Sequence, residues 1–319
     1  MSVNTLHCPI PAALSPHADA AQTWLNGWLD RTGSAVDPLL RRRAARAGFA
    51  RYAARLYPDT DLLTLRTVSA MFTWFFLLDD DADTAADPDP ERLRASFAEA
   101  LSRLDDDHPA RQPAGPLHRL LDDAWRTPRS VMPRHWRDRF VDAVRHHLDG
   151  VVAEAEAKAA GRAPTVDGYV RLRRATSAGY VAHVLGEYAA ARPLPDAVHG
   201  HPAVRACSTA ANDLLSLDRD TESAGGHNLV LVLAAERGLP TSEAVDAAAV
   251  MWRARMETFV GLRARVPTFG PALDVSVRHY LHAVERSVRG TIDWSLETVR
   301  YQPPPVVAPY LPRDMLFAR

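Results

Sequence analysis

Apolar residues recur every three or four positions along most of the chain, which is the spacing of one face of an α-helix. The clearest case is the segment 62–83, with apolar positions at Leu62, Leu65, Val68, Met71, Phe72, Phe75 and Phe76. Similar patterns predict helices over residues 91–104, 115–125, 133–160, 166–190, 202–221, 228–237, 241–265 and 271–301. Prolines lie mostly between these segments, as expected of a residue that interrupts helices.

Signals for β-strands are almost absent from the sequence. The run HNLVLVL at 227–233 has a strand-like composition, but no second run offers it a partner. No internal repeat and no long linker divides the chain. We therefore predict an all-α fold in which about ten helices pack as antiparallel neighbours in one bundle.

The composition fits such a bundle and argues against several other classes of protein. Hydrophobic residues make up 47% of the 319 positions, which can supply a large core. The net charge of −1 gives no sign of a nucleic-acid partner, which would favour a basic surface. Two cysteines, Cys8 and Cys207, are too few for a disulfide framework or a cysteine-rich zinc site. We see no signal peptide and no run of about 18 apolar residues, so we expect a cytoplasmic protein without a membrane span.

The apolar segment 62–83 ends in a cluster of acids, DDDAD at 79–83. Asp79 and Asp83 are four residues apart, so their carboxylates lie on one helix face and repel each other. Bound Mg²⁺ is one natural compensation, because this ion prefers oxygen ligands and is commonly held by carboxylates together with substrate phosphates. Asp80 lies about 100° away round the helix and suits pairing with a basic neighbour. The alternative is an acidic helix end that faces water.

A second cluster of oxygen ligands occurs in NDLLSLDRDTE at 212–222. Asn212, Ser216 and Asp220 follow one another at steps of four, which places an amide, a hydroxyl and a carboxylate on one helix face. These are ligands of the type that hard cations prefer. A polar stripe without a ligand is the alternative for this cluster taken alone. Two such clusters on separate apolar helices favour a metal site.

The pair DDDAD and NDLLSLDRD resembles the two metal-binding motifs of class I terpene cyclases of the bacterial type. Further segments resemble the family in the same order along the chain: RLYPDTDLLTLRTVSAMFTWFFLLDD, YVRLRRATSAG, HNLVLVL and WSLETVRY. The resemblance covers about residues 50–301. It implies a single class I terpenoid synthase-like domain over residues 1–319, built around an apolar central cavity. Residues 1–20 and 302–319 are then expected to be flexible or to cover the site.

The resemblance also implies a role for each matching residue. Five residues would bind Mg²⁺, of which three ions are expected once a prenyl diphosphate is bound: Asp79, Asp83, Asn212, Ser216 and Asp220. Four residues would bind the diphosphate, the first of them as its sensor: Arg174, Arg219, Arg300 and Tyr301. Arginine suits this task because its planar fork matches phosphate geometry and stays charged. Three aromatic residues would line the hydrocarbon cavity: Phe75, Phe76 and Trp294.

The second motif departs from the family pattern in two ways. Asp220 is one methylene shorter than the usual glutamate, and Glu222 lies about 200° away round the helix, so it is no obvious substitute. The interval before Asn212 is about two helical turns shorter than in the family. A displaced Asn212 would put activity itself in doubt.

Two alanines stand where the family commonly has other residues. Ala82 replaces a frequent aromatic residue, which would widen the cavity. Ala178 replaces a common glycine in the sensor segment, so Arg173 remains an alternative to Arg174 as the sensor.

The resemblance predicts that diphosphate departs at the acidic end and that a sealed apolar pocket protects the carbocation from water. We expect farnesyl diphosphate as the substrate, with geranylgeranyl diphosphate as the alternative because the two alanines leave extra room. A chain-elongating prenyltransferase would carry a second DDxxD in place of the Asn-Ser-Asp stripe. An inactive helical scaffold protein is the remaining alternative. Similar proteins are often dimers, so a homodimer is one expected assembly.

Overall fold

The structure is a computed structural model that describes residues 7–83, 90–105, 115–218 and 229–298, without the side chains of residues 81–83 and 218. Within these ranges the chain forms fourteen α-helices and no β-strand. The helices are α1 (Ala18–Thr32), α2 (Pro38–Ala47), α3 (Phe49–Leu56), α4 (Leu62–Asp83), α5 (Pro90–Leu104), α6 (Pro116–Val131), α7 (Arg134–Ala159), α8 (Val166–Thr176), α9 (Gly179–Ala189), α10 (Asp196–His199), α11 (Pro202–Asp218), α12 (Leu229–Arg237), α13 (Thr241–Arg263) and α14 (Pro271–Glu297).

Side-chain caps show why two of these helices begin where they do. Asp37 precedes α2, and its Oδ1 accepts hydrogen bonds from the backbone N–H groups of Leu39 and Leu40, at 2.8 and 3.2 Å. Asp61 caps α4 in the same way, at 2.9 and 3.0 Å from two backbone nitrogens of the first turn. Such bonds satisfy N–H groups that have no partner within the helix. Hydrogen bonds from Thr64 and its neighbour also lower the pKa of Asp61.

The prediction of an all-α fold is confirmed, and most predicted segments match a helix within a few residues. The segment predicted at 62–83 is α4, Leu62–Asp83. The segment predicted at 166–190 is divided into α8 and α9 by a break at Ser177 and Ala178. The strand-like HNLVLVL leads into a helix, α12, from Leu229 onward. The helices α1 to α3 and the short α10 were not among the predicted segments.

The helix α4 lies at the centre of the core. It packs against α3 and α6, while α14 packs against α3, α9 and α11. Every side chain of α4 from Val68 to Leu78 is buried. A helix that is buried on all sides is expected in the interior of a large bundle.

One segment of the described chain, Leu62–Asp80 within α4, is long and apolar enough to cross a membrane by length and composition. Packing inside the protein buries 67% of its apolar window. That degree of burial is typical of a core helix in a globular fold.

Candidate active site

A cavity opens beside the C-terminal half of α4, next to α3, α7 and the junction of α8 and α9. Its empty volume is about 420 Å³, including the part that is open to solvent. The lining residues are Tyr52, Phe72, Phe75, Phe76, Asp79, His147, Thr176, Ser177, Ala178, Val181 and Ala182. The cavity is therefore walled mainly by apolar and aromatic groups and bordered by one acid.

Aromatic side chains of α3 and α4 form one wall of the cavity. The predicted residues Phe75 and Phe76 both line it. Tyr52 and Phe72 complete the wall, with 5.0 Å between their ring centroids. The residues of α4 at steps of three and four thus present one aromatic face to the cavity.

Trp294 supports this wall from behind. Its ring centroid lies 4.7 Å from that of Tyr52 and 5.4 Å from that of Phe76. Its indole Nε1 donates a hydrogen bond to the carbonyl oxygen of Ala47 at 2.9 Å. Trp294 is not among the residues that line the described part of the cavity. Its ring packs α14 against Tyr52 and Phe76, which do line the cavity.

Asp79 borders the cavity at the point where α4 leaves the core. Leu77 and Leu78 are buried, whereas Asp79 and Asp80 are half-buried. Asp79 lies among the lining residues, together with Phe75 and Phe76. The apolar run of α4 therefore meets its first acid at the rim of an aromatic chamber.

Asn212 and Ser216 are fully buried on one face of α11. Asn212 Nδ2 donates to the carbonyl oxygen of Arg174 at 2.7 Å, and Asn212 Oδ1 accepts a hydrogen bond from the Ser177 hydroxyl. The Ser216 hydroxyl donates to the carbonyl oxygen of Asn212 at 2.7 Å. The structure thus brings Asn212 to the segment of the predicted sensor, despite the short interval that precedes it in the sequence.

The junction of α8 and α9 has two special backbone positions. Ala178 adopts the left-handed conformation, with φ 55° and ψ 17°, which L-residues other than glycine rarely adopt. Gly179 begins α9 so close to α11 that a Cβ atom there would lie 2.3 Å from Asn212 Oδ1. Only glycine permits this approach, so the sequence SAG fixes how the junction meets Asn212.

Arg174 and Arg173 make different contacts in the structure. Arg174 binds both carboxylate oxygens of Asp213 through Nε and Nη2, the latter at 3.0 Å. Arg255 of α13 donates to the same carboxylate at 2.7 Å. The hydrogen bond from Arg174 to Asp213 raises the pKa of Arg174. Arg173 instead donates to Thr176 Oγ1 at 2.9 Å, within its own helix.

Five predicted site residues have side chains outside the described part of the structure: Asp83, Asp220, Arg219, Arg300 and Tyr301. Their roles stay predictions. The described residues bring together Asp79, Phe75 and Phe76 at the cavity, and Arg174 and Asn212 at the junction that lines its other side.

Several lining residues were not predicted from the sequence. His147 of α7 is buried beside Phe75, with 5.4 Å between ring centroids, and its Nδ1 lies 3.2 Å from the carbonyl oxygen of Ala175. A carbonyl only accepts hydrogen bonds, so this nitrogen is the donor. No motif marks His147 or Tyr52. Phe72 did carry a signal, since it lies three and four residues before the predicted pair.

The described oxygen ligands fit a hard cation in their chemistry. Asp79 offers a carboxylate, Asn212 an amide oxygen and Ser216 a hydroxyl, which are ligand types that suit Mg²⁺. Within the described residues, no group of three or more His, Cys, Asp or Glu side chains could hold a metal ion. The expected acidic ligands Asp83 and Asp220 lie outside that part of the chain.

Comparisons with known proteins define the class of this protein. A family model described as terpene synthase family 2, C-terminal metal binding, matches residues 70–258. The chain is 30% identical over 310 residues to 10-epi-cubebol synthase of Sorangium cellulosum. The alignment covers 94% of this chain and 98% of that protein. The chain is also 30% identical to (+)-T-muurolol synthase of Roseiflexus castenholzii, over 92% of each chain. The chain therefore belongs to the terpene synthase family.

Solved structures agree with this assignment. The SVS_A2 protein from ancestral sequence reconstruction is 26% identical and superposes with a TM-score of 0.82, over 92% of this chain and 89% of that chain. Germacradien-4-ol synthase from Streptomyces citricolor, at 23% identity, shares the fold with a TM-score of 0.81, over 92% of this chain and all of that chain. The protein is a class I terpene synthase, as the two motifs predicted.

Proposed function

We propose that the protein is a Mg²⁺-dependent cyclase that ionises farnesyl diphosphate and converts the carbocation to a cyclic terpene hydrocarbon or alcohol. One observation carries the proposal. Asp79 borders an aromatic cavity, and the opposite wall is the helix junction that contacts Asn212. This arrangement fits a ligand with a hydrocarbon chain at one end and a metal-bound phosphate at the other.

The metal-binding role falls to the oxygen ligands around this junction. Asp79 would hold Mg²⁺ on one side, with Asp83 close by. Asn212, Ser216 and Asp220 would hold another Mg²⁺ on the other side. Bound Mg²⁺ neutralises charge on the diphosphate and makes it a better leaving group.

Arg174 would bind the diphosphate as it leaves. Its guanidinium stays charged at any physiological pH and matches two phosphate oxygens at once. The backbone of Arg174 already accepts a hydrogen bond from Asn212, so the arginine and the metal ligand are tied together. A positive group fixed where negative charge develops lowers the barrier to departure.

The chemistry balances without a catalytic side-chain base. The C–O bond breaks and its electron pair leaves with diphosphate, which produces an allylic carbocation. A double bond of the same chain supplies the pair that closes a ring. The final cation loses a proton to give an alkene, or captures water and then loses a proton to give an alcohol. The released diphosphate is a suitable proton acceptor.

The aromatic wall would protect and steer the carbocation. Phe72, Phe75 and Phe76 line the cavity and would exclude water, which otherwise quenches the cation early. The faces of aromatic rings also attract positive charge. The wall therefore contributes to the stability of the intermediate as well as to the shape of the pocket.

The names of relatives support a C15 substrate. The relative from Roseiflexus castenholzii is named as cyclising farnesyl diphosphate, and two relatives from Postia placenta are named sesquiterpene synthases. We therefore propose farnesyl diphosphate in preference to geranylgeranyl diphosphate.

Parallel incubations test the proposal. The purified protein is given geranyl, farnesyl or geranylgeranyl diphosphate, with Mg²⁺ or with a chelator, and extracts are analysed by gas chromatography–mass spectrometry. The expected result is a cyclic C15 product from farnesyl diphosphate that requires Mg²⁺. A C20 product alone would assign the larger substrate. No product and no free diphosphate from any substrate would contradict the proposal and favour an inactive scaffold protein.

A further inference from the structure

Asp213 joins two arginines from two different helices. Its carboxylate accepts hydrogen bonds from Arg174 of α8 at Nε and Nη2, and from Arg255 of α13 at Nη1. The side chain of Asp213 is only 10% exposed, whereas those of Arg174 and Arg255 are 35% and 30% exposed. A buried carboxylate thus anchors two guanidinium groups that extend toward solvent.

The hydrogen bonds to Asp213 use one edge of the Arg174 guanidinium. An arginine has five N–H donors, and the bonds from Nε and Nη2 occupy the side of the fork nearest the chain. The opposite edge, formed by Nη1 and the second hydrogen of Nη2, has the geometry for two parallel bonds to a phosphate. Asp213 can therefore hold Arg174 in place while the same guanidinium binds an anion.

The charges of this cluster favour an anionic ligand. One carboxylate faces two guanidinium groups, so the three side chains together carry a net charge of +1. Without a carboxylate between them, two guanidinium groups that converge in this way would repel each other. Asp213 permits the two arginines to converge, and the three side chains together keep one net positive charge.

The cluster adjoins the proposed metal ligands. Asp213 follows Asn212 directly in α11, and Asn212 Nδ2 donates to the carbonyl oxygen of Arg174 at 2.7 Å. Arg174 and Arg255 therefore converge on the helix that carries Asn212 and Ser216.

We propose that Arg255 is a second diphosphate-binding arginine and that Asp213 is a positioning residue that holds Arg255 and Arg174 for this task. The inference rests on the proposed function, because the anion it assigns is the diphosphate of the prenyl substrate. It predicts that Asp213 acts on the reaction through the two arginines and does not touch the substrate itself.

A purely structural role is the competing explanation for these ion pairs. The same contacts connect α8, α11 and α13, and removing one partner of a buried pair commonly destabilises a protein. Stability alone therefore cannot distinguish the two roles. The distinction requires a direct measurement of anion binding and a test of whether Asp213 acts through Arg174.

The first experiment compares Arg255→Gln with Arg253→Gln. Both substitutions remove one positive charge from α13, but Arg253 is exposed and lies about 200° from Arg255 round the helix. Binding of inorganic diphosphate in the presence of Mg²⁺ is measured by titration calorimetry. We expect the Kd of Arg255→Gln to rise about tenfold or more, since hydrogen bonds to a charged group are lost, and that of Arg253→Gln to change little. Arg255→Lys should recover part of the affinity because it keeps the charge without the fork.

The second experiment is a double-mutant cycle. Asp213→Asn keeps the shape of the side chain and removes its charge. We expect kcat to fall about tenfold or more in the parent protein and less than about twofold in an Arg174→Gln, Arg255→Gln background, because a positioning residue has no effect once its partners are gone. KM should rise as well in the parent background only, because the two arginines that Asp213 holds also bind the diphosphate of the substrate before it leaves.

Each result decides between the explanations. Equal diphosphate affinity of the two α13 variants would exclude Arg255 as a ligand. An equal loss of kcat in both backgrounds of the cycle would assign Asp213 a role independent of the arginines. Tighter diphosphate binding by Asp213→Asn with unchanged kcat would show that the carboxylate competes with the substrate. Failure of the parent protein to release diphosphate from any prenyl substrate would contradict the proposed function, whereas the binding comparison does not depend on turnover.

Discussion

Asp79 marks the residue at which the long buried helix α4 becomes polar. The ten residues before it in α4 are all buried, and Asp79 itself is half-buried at the rim of the aromatic cavity. A carboxylate in such a place is costly unless a positive group compensates it. In the proposed function this group is bound Mg²⁺, so the reaction would begin where the apolar part of α4 meets its acidic end.

The substitution Asp79→Asn tests this role at the residue scale. An amide keeps the shape of the side chain but loses the negative charge that attracts the metal. We expect kcat to fall by about 100-fold or more, the scale seen when a stabilising group is removed from an active site. Helical content measured by circular dichroism should stay unchanged.

The matched control is Asp142→Asn. Asp142 is an exposed residue of α7 that pairs with Arg145 on the surface, and such pairs contribute little to stability. This variant should keep the activity of the parent protein. Near-normal turnover by Asp79→Asn would remove Asp79 from the metal site.

Sequence spacing can indicate candidate metal ligands when they lie on one face of a single helix. Asp79 and Asn212 were candidates because steps of four place oxygen ligands on one helix face. In the structure Asp79 lines the cavity and Asn212 contacts the backbone of Arg174, while their role as metal ligands stays a prediction. Arg255 and His147 were missed because their relation to the site is a contact between distant segments. Such contacts leave no periodic pattern in the sequence.

At the scale of elements, the break between α8 and α9 shapes the site. Thr176, Ser177 and Ala178 all line the cavity, and Ser177 also binds Asn212. The break requires one residue in the left-handed conformation, and Ala178 fills that position with φ 55°. An alanine there is strained by about 1–2 kcal/mol because its Cβ approaches the backbone.

Replacing Ala178 with glycine should relieve this strain. We expect Ala178→Gly to raise the free energy of unfolding by about 1 kcal/mol, after allowing for the greater freedom of glycine in the unfolded chain. Chemical denaturation monitored by circular dichroism measures the change. The product distribution is expected to change as well, because the residue lines the cavity.

Ala191 and Ala190 provide controls at the other end of α9. Ala191 also has a positive φ, 50°, but lies outside the cavity lining, so Ala191→Gly should gain stability without altering the products. Ala190 has φ −90°, and Ala190→Gly should lose stability. A loss of stability in Ala178→Gly would show that this junction carries no backbone strain.

The helices before residue 57 show why some elements escaped prediction. The buried positions of α1 recur at helical spacing from Ala18 to Leu29, but four of the eight residues 18–25 are alanine or threonine, which blurs the apolar signal. The start of α2 carried a clearer sign, since Asp37 is a capping residue followed by Pro38. The left-handed residue between α8 and α9 has no signal in its own residue type, because position 178 is an alanine and not the glycine that favours this conformation.

At the scale of the whole molecule, the N-terminal segment ties three helices together. The indole of Trp252 donates to the carbonyl oxygen of His7 at 2.8 Å, and Arg289 donates to that of Ile10 at 3.2 Å. Further along, the backbone N–H of Ser15 donates to the carbonyl oxygen of Ala54 at 3.0 Å. Residues 7–15 therefore bridge α13, α14 and α3.

The substitution Ile10→Ala tests whether this segment contributes to global stability. Ile10 is 7% exposed and packs in the core cluster that includes α13 and α14. We expect the free energy of unfolding to fall by about 2 kcal/mol, the lower end for truncation of a buried isoleucine. Leu14→Ala, in the same segment but 38% exposed, should have a smaller effect. Equal and negligible effects of both would mean that the segment is not held against the protein.

A buried polar network connects the helices behind the cavity. His183 of α9 is fully buried between Ser208 of α11 and Ser287 of α14, at 2.8 and 3.0 Å. Burial lowers the pKa of His183 to about 3. One turn further on, burial raises the pKa of Glu187 to about 7, although Arg139 binds it at 2.8 Å. Burial therefore favours the neutral imidazole of His183 in the folded protein.

The unfolded chain binds a proton at His183 below the ordinary pKa of 6.5, whereas the folded protein does so only near pH 3. The stability linked to this neutral histidine is therefore present above pH 6.5 and is lost as the pH falls toward 3, at about 1.4 kcal/mol per pH unit. Glu187 has the opposite sign between its ordinary pKa of 4.5 and about 7. A comparison of two proteins that share Glu187 cancels its contribution.

We therefore compare the parent protein with His183→Gln by urea denaturation at pH 7.5 and pH 5. At pH 7.5 the variant should be less stable, because it loses the fit between the two serines. At pH 5 the difference in unfolding free energy should narrow by about 2 kcal/mol, since only the parent protein has a buried imidazole to protonate. His279→Gln, on an exposed position of the same helix as Ser287, is the control for replacing a surface histidine. A difference that is the same at both pH values would mean that folding does not lower the pKa of His183, and its contacts with the two serines would then need a different explanation.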